Sequence, residues 1–295
     1  MPPGRRQLLH RRLTGTGRTL VRMTDIHDRG LQYDLATLLG RRRALSLLGG
    51  AGLTLVACAP PTTANSPAAN SPATTFSAGT TSSAAGTPLE TVPEETAGPF
   101  PGDGSNGPNA LTQSGIVRSD IRSSFGSSTR TAEGVRLTVD LTVQRPGGEP
   151  FQGAAVYLWH CDINGDYSMY SDRVRDENFL RGVQEADASG KLRFVSVFPG
   201  AYSGRWPHVH FEVYPSLAEA TRAGDKITTS QLALPETTCK EVYGTTGYTQ
   251  SVRNMARTSL RQDTVFRDGT DHQMATMSGG VTSGYTASLT FAVQG

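Results

Sequence analysis

Between residues 135 and 143 apolar and polar side chains alternate without a slip: Val135, Leu137, Val139, Leu141 and Val143 are separated by Arg136, Thr138, Asp140 and Thr142. A period of two predicts a strand with one buried face. Near the C-terminal end Tyr285, Ala287, Leu289, Phe291 and Val293 repeat the pattern. Residues 154–159 are apolar on both faces, which predicts a central strand. Three more strands are predicted over 192–198, 208–214 and 227–234, parted by turns such as Pro146-Gly147-Gly148 and Asp187-Ala188-Ser189-Gly190. Only 216–223 predicts a helical turn. There is no internal repeat and no Gly-rich phosphate loop joined to a helix. Residues 89–295 therefore read as a mainly β domain, a two-sheet β-sandwich with elaborated loops.

The first 88 residues follow no such pattern. Arg41-Arg42-Arg43 precedes an uncharged run, 44–57, that ends in Leu55-Val56-Ala57-Cys58. A basic stretch, a short apolar core and a small-residue exit describe an export signal, too short to span a bilayer as a mature helix. The arginines with Leu45 after them resemble a twin-arginine signal, and residues 55–58 resemble a lipobox. Residues 1–57 are thus expected to be the signal, with Cys58 as a lipid-anchored N-terminus. The start lies at Met1 or Met23. Residues 58–88 are almost wholly Ala, Pro, Ser, Thr and Gly, which cannot bury enough apolar surface to offset ordering entropy. They read as a disordered tether holding a domain outside the cytoplasm.

Removing the signal changes the charge. Residues 1–57 hold ten arginines against three aspartates, so the remainder carries 18 cations against 23 carboxylates, a formal −5 rather than the +2 of the whole chain. A mildly acidic domain without a basic cluster gives no reason to expect nucleic acid as a partner. Beyond Cys58 two cysteines remain, Cys161 and Cys239, free to pair or to stay as buried thiols.

The chemistry concentrates at Pro199-Gly200-Ala201-Tyr202-Ser203-Gly204-Arg205-Trp206-Pro207-His208-Val209-His210. On a strand, His208 and His210 project side by side while Val209, Phe211 and Val213 pack the other way. Two imidazoles held that close make half a metal site. Tyr202 lies six residues upstream, and Tyr167 follows the turn-like Asp162-Ile163-Asn164-Gly165-Asp166. Two phenols with two imidazoles suggest ferric iron, a hard cation that favours anionic oxygen donors. Alone, each of these residues is more often structural. Tyr170 is the alternative to Tyr167, and Glu212 shares the histidine face without a ligand role assigned to it.

The stretch Gly153-Ala154-Ala155-Val156-Tyr157-Leu158-Trp159-His160-Cys161-Asp162-Ile163-Asn164-Gly165-Asp166-Tyr167 resembles the first ligand segment of the intradiol ring-cleavage dioxygenases. Thr96-Ala97-Gly98-Pro99-Phe100 resembles their opening segment. Residues 179–184, 187–190 and 198–202 continue the likeness in order, and 205–210 complete it. The resemblance implies a prealbumin-like sandwich in which Tyr167, Tyr202, His208 and His210 bind non-haem Fe(III). It implies that Tyr202 leaves the metal when a catechol chelates it, and that Arg205 stabilises charge on the ring. Gln231 matches a polar residue near the iron. The activity implied is cleavage of a catechol between its two hydroxyl-bearing carbons with incorporation of both atoms of O2, giving a cis,cis-muconate-type diacid. Flavin and nicotinamide are not expected. The gap from Tyr202 to His208 is shorter than in the cytoplasmic members, and the helical dimerisation segment of the catechol 1,2-dioxygenases is replaced by the tether. A homo-oligomer remains open. Loops 101–133 and 168–185 are expected at the pocket entrance. A cupin or a zinc hydrolase would leave the paired tyrosines unused; the rival reading is a non-catalytic extracellular module that binds polymer or an aromatic ligand.

Overall fold

A computed structural model describes residues 89–295; the export signal, Cys58 and the tether lie outside the described residues. Eight strands form two four-stranded sheets among these residues. The first has the order β4 (Lys191–Val197), β1 (Arg136–Gln144), β8 (Gly284–Ala292), β7 (Thr276–Gly280). The second has the order β3 (Arg181–Glu185), β2 (Ala155–Trp159), β5 (His208–Tyr214), β6 (Thr228–Ala233). Neighbours run antiparallel except β1 and β8, which pair in parallel from Leu137↔Tyr285 to Gln144↔Ala292. That parallel pairing brings the two most regular alternating segments of the chain side by side.

The alternation does what it predicts. Leu137, Val139, Leu141 and Val143 of β1 are buried together with Tyr285, Ala287, Leu289 and Phe291 of β8. From the opposite sheet Val156, Leu158, Val209, Phe211 and Val213 enter the same core. Phe211 and Phe291 meet across it with ring centroids 4.9 Å apart. Removing such side chains from water is worth about 1.5–3 kcal/mol each and holds the sheets face to face.

β2 and β5 are buried along their whole length, so their other face is covered as well. Ala155, Tyr157 and Trp159 join Tyr167, Tyr214, Val183 and, from the long loop before β1, Ala110, Leu111 and Ile116 in a second, outer core. This outer face carries His208 and His210.

Strand ends agree with expectation to within one residue. β3 and β7 were not anticipated as strands: Arg-Gly-Val-Gln-Glu and Thr-Met-Ser-Gly-Gly carry too few apolar residues to show a period. The expected helical turn is α1 (Leu217–Thr221), whose start is capped by Ser216 accepting from the Glu219 N–H. Two further short helices, α2 (Glu236–Tyr243) and α3 (Thr249–Met255), were also unforeseen. No helix among the described residues is long and apolar enough to cross a membrane. Cys161 and Cys239 are both free and buried, so the open question of their pairing closes in favour of thiols.

Candidate metal centre

Tyr167 is presented by a knotted turn. The Asp162 carboxylate accepts from the N–H groups of Asn164 at 2.8 Å and Asp166 at 3.0 Å, and the Asp162 carbonyl accepts from Gly165 and Gly200. Gly200 is required for that approach: a Cβ there would lie 2.5 Å from the Ile163 carbonyl oxygen and 2.9 Å from that of Asp162. The turn carrying Tyr167 is thereby tied to the segment carrying Tyr202, 35 residues later in the chain.

From below, Arg181 at the start of β3 reaches the same region. It is 1 % exposed, and its five N–H groups go to Ser168 Oγ, the carbonyls of Ser168, Phe100 and Pro101, and the Tyr157 hydroxyl. Phe100, fixed in this way, packs against Tyr167 with ring centroids 5.2 Å apart.

The four sequence-predicted donors come together. Tyr167 Oη lies 3.5 Å from Tyr202 Oη, Tyr202 Oη 3.2 Å from His208 Nε2, and His208 Nε2 3.0 Å from His210 Nε2. The His208 Nδ1–H donates to the Trp206 carbonyl at 2.5 Å, which leaves Nε2 with its lone pair toward the cluster. His210 is held differently. Its Nδ1 is buried with no hydrogen-bond partner, and its ring lies flat on Trp159, 4.8 Å between centroids and 6° between planes. Trp159 and His210 are register partners on β2 and β5, and Gln231 is the partner of His210 on β6.

Electrostatics keep both imidazoles and the Tyr167 phenol neutral. Burial, followed by the Arg205 charge, pushes the His208 imidazole down to about 3, and burial followed by His208 holds His210 well below its usual value. Burial, then Tyr202, drives the Tyr167 phenol well above 10. Two lone-pair nitrogens and two phenols thus face one point. Their 3.0–3.5 Å separations are the edges that donors sharing one ion at about 2.0–2.2 Å would show. Among the described residues no group of three or more His, Cys, Asp or Glu side chains is arranged for a metal. The set here needs a cation that accepts oxygen, and a highly charged one to ionise the phenols.

Arg205 and Gln231 stand beside this cluster. Arg205 is 1 % exposed; its Nε donates to Asp263 at 3.0 Å and its Nη2 to Gln231 Oε1 at 2.6 Å. Gln231 Nε2 donates in turn to the Thr96 carbonyl at 2.9 Å, which links the opening segment to β6. Burial raises the Asp263 carboxyl, but Arg205 and the Trp206 N–H outweigh it and leave the group below its ordinary range.

Other nearby residues have different tasks. The Tyr170 hydroxyl donates to Asn106 and accepts from the Gly102 N–H, so of the two tyrosines Tyr167 is the one that meets Tyr202. Glu212 shares the histidine face but pairs with Lys226 and accepts from the Tyr214 hydroxyl. His160 turns to Ser196. Of the two loops expected at the entrance, 101–133 covers the outer face through Ala110, Leu111 and Ile116, while 168–185 contributes β3. Asp263 and the stacking role of Trp159 are not legible in the sequence, since neither belongs to a spaced motif.

A family model described as "Dioxygenase" matches residues 107–219, which include both tyrosines, both histidines and Arg205. The chain is 34% identical over 92 residues to the protocatechuate 3,4-dioxygenase β chain of Burkholderia cepacia, covering 28% of this chain and 39% of that one. It is 32% identical over 69 residues to the chlorocatechol 1,2-dioxygenase of Rhodococcus opacus, covering 23% and 27%. The matched stretches therefore span well under half of either relative. An intradiol ring-cleavage dioxygenase from Tetranychus urticae superposes with a TM-score of 0.52 at 25% identity, covering 61% of this chain and 87% of that structure. With the sandwich, the outer-face site and these matches in agreement, the described domain is similar in sequence and fold to the intradiol ring-cleavage dioxygenases.

Proposed function

We propose that the domain cleaves a catechol-type ring between its two hydroxyl-bearing carbons with O2, using non-haem Fe(III) held by Tyr167, Tyr202, His208 and His210. The observation that carries this is the convergence of two phenol oxygens and two imidazole nitrogens at 3.0–3.5 Å on a buried face. Ferric iron held there by Tyr167, Tyr202, His208 and His210 would supply Lewis-acid chemistry that makes a bound catechol ring reactive toward O2.

The chain's own groups divide the remaining work. Tyr167 is 2 % exposed and clamped through Phe100 and Arg181, which suits a ligand that stays. Tyr202 is only half-buried, so its Oη is placed to take a proton from an incoming hydroxyl and turn away. The Arg205 guanidinium faces charge that develops on the ring, and a buried donor of this kind is worth several kcal/mol in a site shielded from water. Phe100 and Trp159 keep water from the Tyr167 and His210 sides. The overall conversion balances without a reductant: one catechol and one O2 give one diacid.

The same proposal takes residues 1–57 as an export signal and Cys58 as a lipid anchor, placing the domain outside the cytoplasm among environmental catechols.

The test is a visible spectrum of the chain loaded with ferric iron, before and after anaerobic addition of catechol. A broad tyrosinate band that moves to longer wavelength, followed by one-to-one oxygen uptake on admitting air, is the expected result. Stripping the metal with a chelator should bleach the band and stop the uptake. A chain that stays colourless after loading defeats the reading. Retention on insoluble polymer without oxygen uptake would point instead to a non-catalytic binding module.

A further inference from the structure

We propose that Asp263 is a positioning residue for ring cleavage, acting through Arg205; this rests on the catalytic reading above. Asp263 lies in the segment between α3 and β7, outside the stretch matched by the family model, and 58 residues from Arg205 in sequence.

All of the carboxylate's hydrogen bonds converge on one arrangement. Oδ2 accepts from Arg205 Nε at 3.0 Å and from the Trp206 N–H at 2.6 Å. Oδ1 accepts from the N–H groups of Val265 at 2.8 Å and Phe266 at 3.1 Å. Asp263 itself is 0% exposed. One oxygen therefore ties a side chain to the backbone of the next residue, and the other seats the carboxylate in its own turn. That turn places Phe266 beside His208, with ring centroids 6.3 Å apart.

The guanidinium is gripped at two points of its planar fork. Asp263 holds Nε, Gln231 Oε1 holds Nη2, and Gln231 is fixed by its bond to the Thr96 carbonyl. A fork held this way has its direction set before substrate arrives, the condition under which a donor stabilises developing charge without reorganising. An ammonium could not satisfy both grips in the same geometry. The Trp206 contact adds a second link, because Trp206 also supplies the carbonyl that orients His208.

An acid that only stabilises the fold and one that works through the guanidinium differ in a double-mutant cycle. We would measure kcat for oxygen uptake with catechol in the iron-loaded chain and its D263N, R205M and D263N/R205M variants, with the thermal midpoint of each as the control for folding. The expected result is a loss of about tenfold to a hundredfold for D263N, a loss of about a hundredfold or more for R205M, and a double variant no slower than R205M alone. Losses that multiply in the double variant overturn the assignment, as does a D263N enzyme within twofold of wild type. Should D263N not fold, R205K decides: it keeps the charge and leaves Asp263 in place, and it is expected to lose at least tenfold in kcat. Retention of kcat within twofold by R205K overturns the proposal. Wild-type chain that takes up no oxygen defeats the catalytic reading itself, and this assignment with it.

Discussion

Single residues in this protein are sharply divided by what they cost when alone. Tyr167 is a buried phenol whose ionisation burial disfavours, and the half-buried Tyr202 lies against it with the two hydroxyl oxygens 3.5 Å apart. Replacing either by phenylalanine is expected to weaken ferric binding at least tenfold and to shift or diminish the tyrosinate band, measured by titration with ferric ion in the visible. The Tyr167 variant should lose more, since its neighbours cannot move to fill the gap. Glu95 is a second case. Burial, and then the charge of Asp268, raises its carboxyl to about 7, and its one side-chain partner is Gln273 at 3.5 Å. The folded state then holds a proton that the unfolded state gives up above about 4.5, so stability falls as pH rises from there to about 7. Glu95→Gln should flatten that slope, gaining up to about 3 kcal/mol over wild type at pH 8 and nothing near pH 4, by urea unfolding at the two pH values.

At the level of elements, β5 does two jobs with one period. Its odd residues Val209, Phe211 and Val213 anchor the sandwich, and its even ones place His208 and His210 on the outer face. Truncating the core side cannot leave the histidine side untouched. Phe211→Ala should cost about 3–5 kcal/mol in urea unfolding and loosen ferric binding, although Phe211 points away from both histidines. Such elements were legible in the sequence because alternation and a fixed ligand order were both present: β1, β5 and β8 could be placed to within a residue. The short edge strands β3 and β7 and the helices α2 and α3 were not, because pairing and tertiary packing hold them rather than any period of their own. Tyr167, Tyr202, His208 and His210 were legible as spaced chemistry. Asp263 was invisible for the opposite reason: an isolated acid ahead of Thr264-Val265-Phe266 announces nothing until the fold carries it to Arg205.

The described residues as a whole form a two-sheet scaffold that turns one sheet outward to chemistry and covers that face with part of the long loop before β1, through Ala110, Leu111 and Ile116. Neither cysteine of the domain takes part in a cross-link. Cys161 sits over the Gly200 carbonyl and Cys239 over that of Leu234, both sealed from solvent, and burial raises both thiols well above their usual range. Thiolate is the species that oxidants and alkylating agents attack, so these two are inert while the fold persists. The melting temperature should be the same with and without reductant, and peptide mapping after native alkylation should find both sulfurs unmodified. A domain of this kind needs no oxidising partner to finish folding, and its sulfur chemistry is the same under reducing and oxidising conditions.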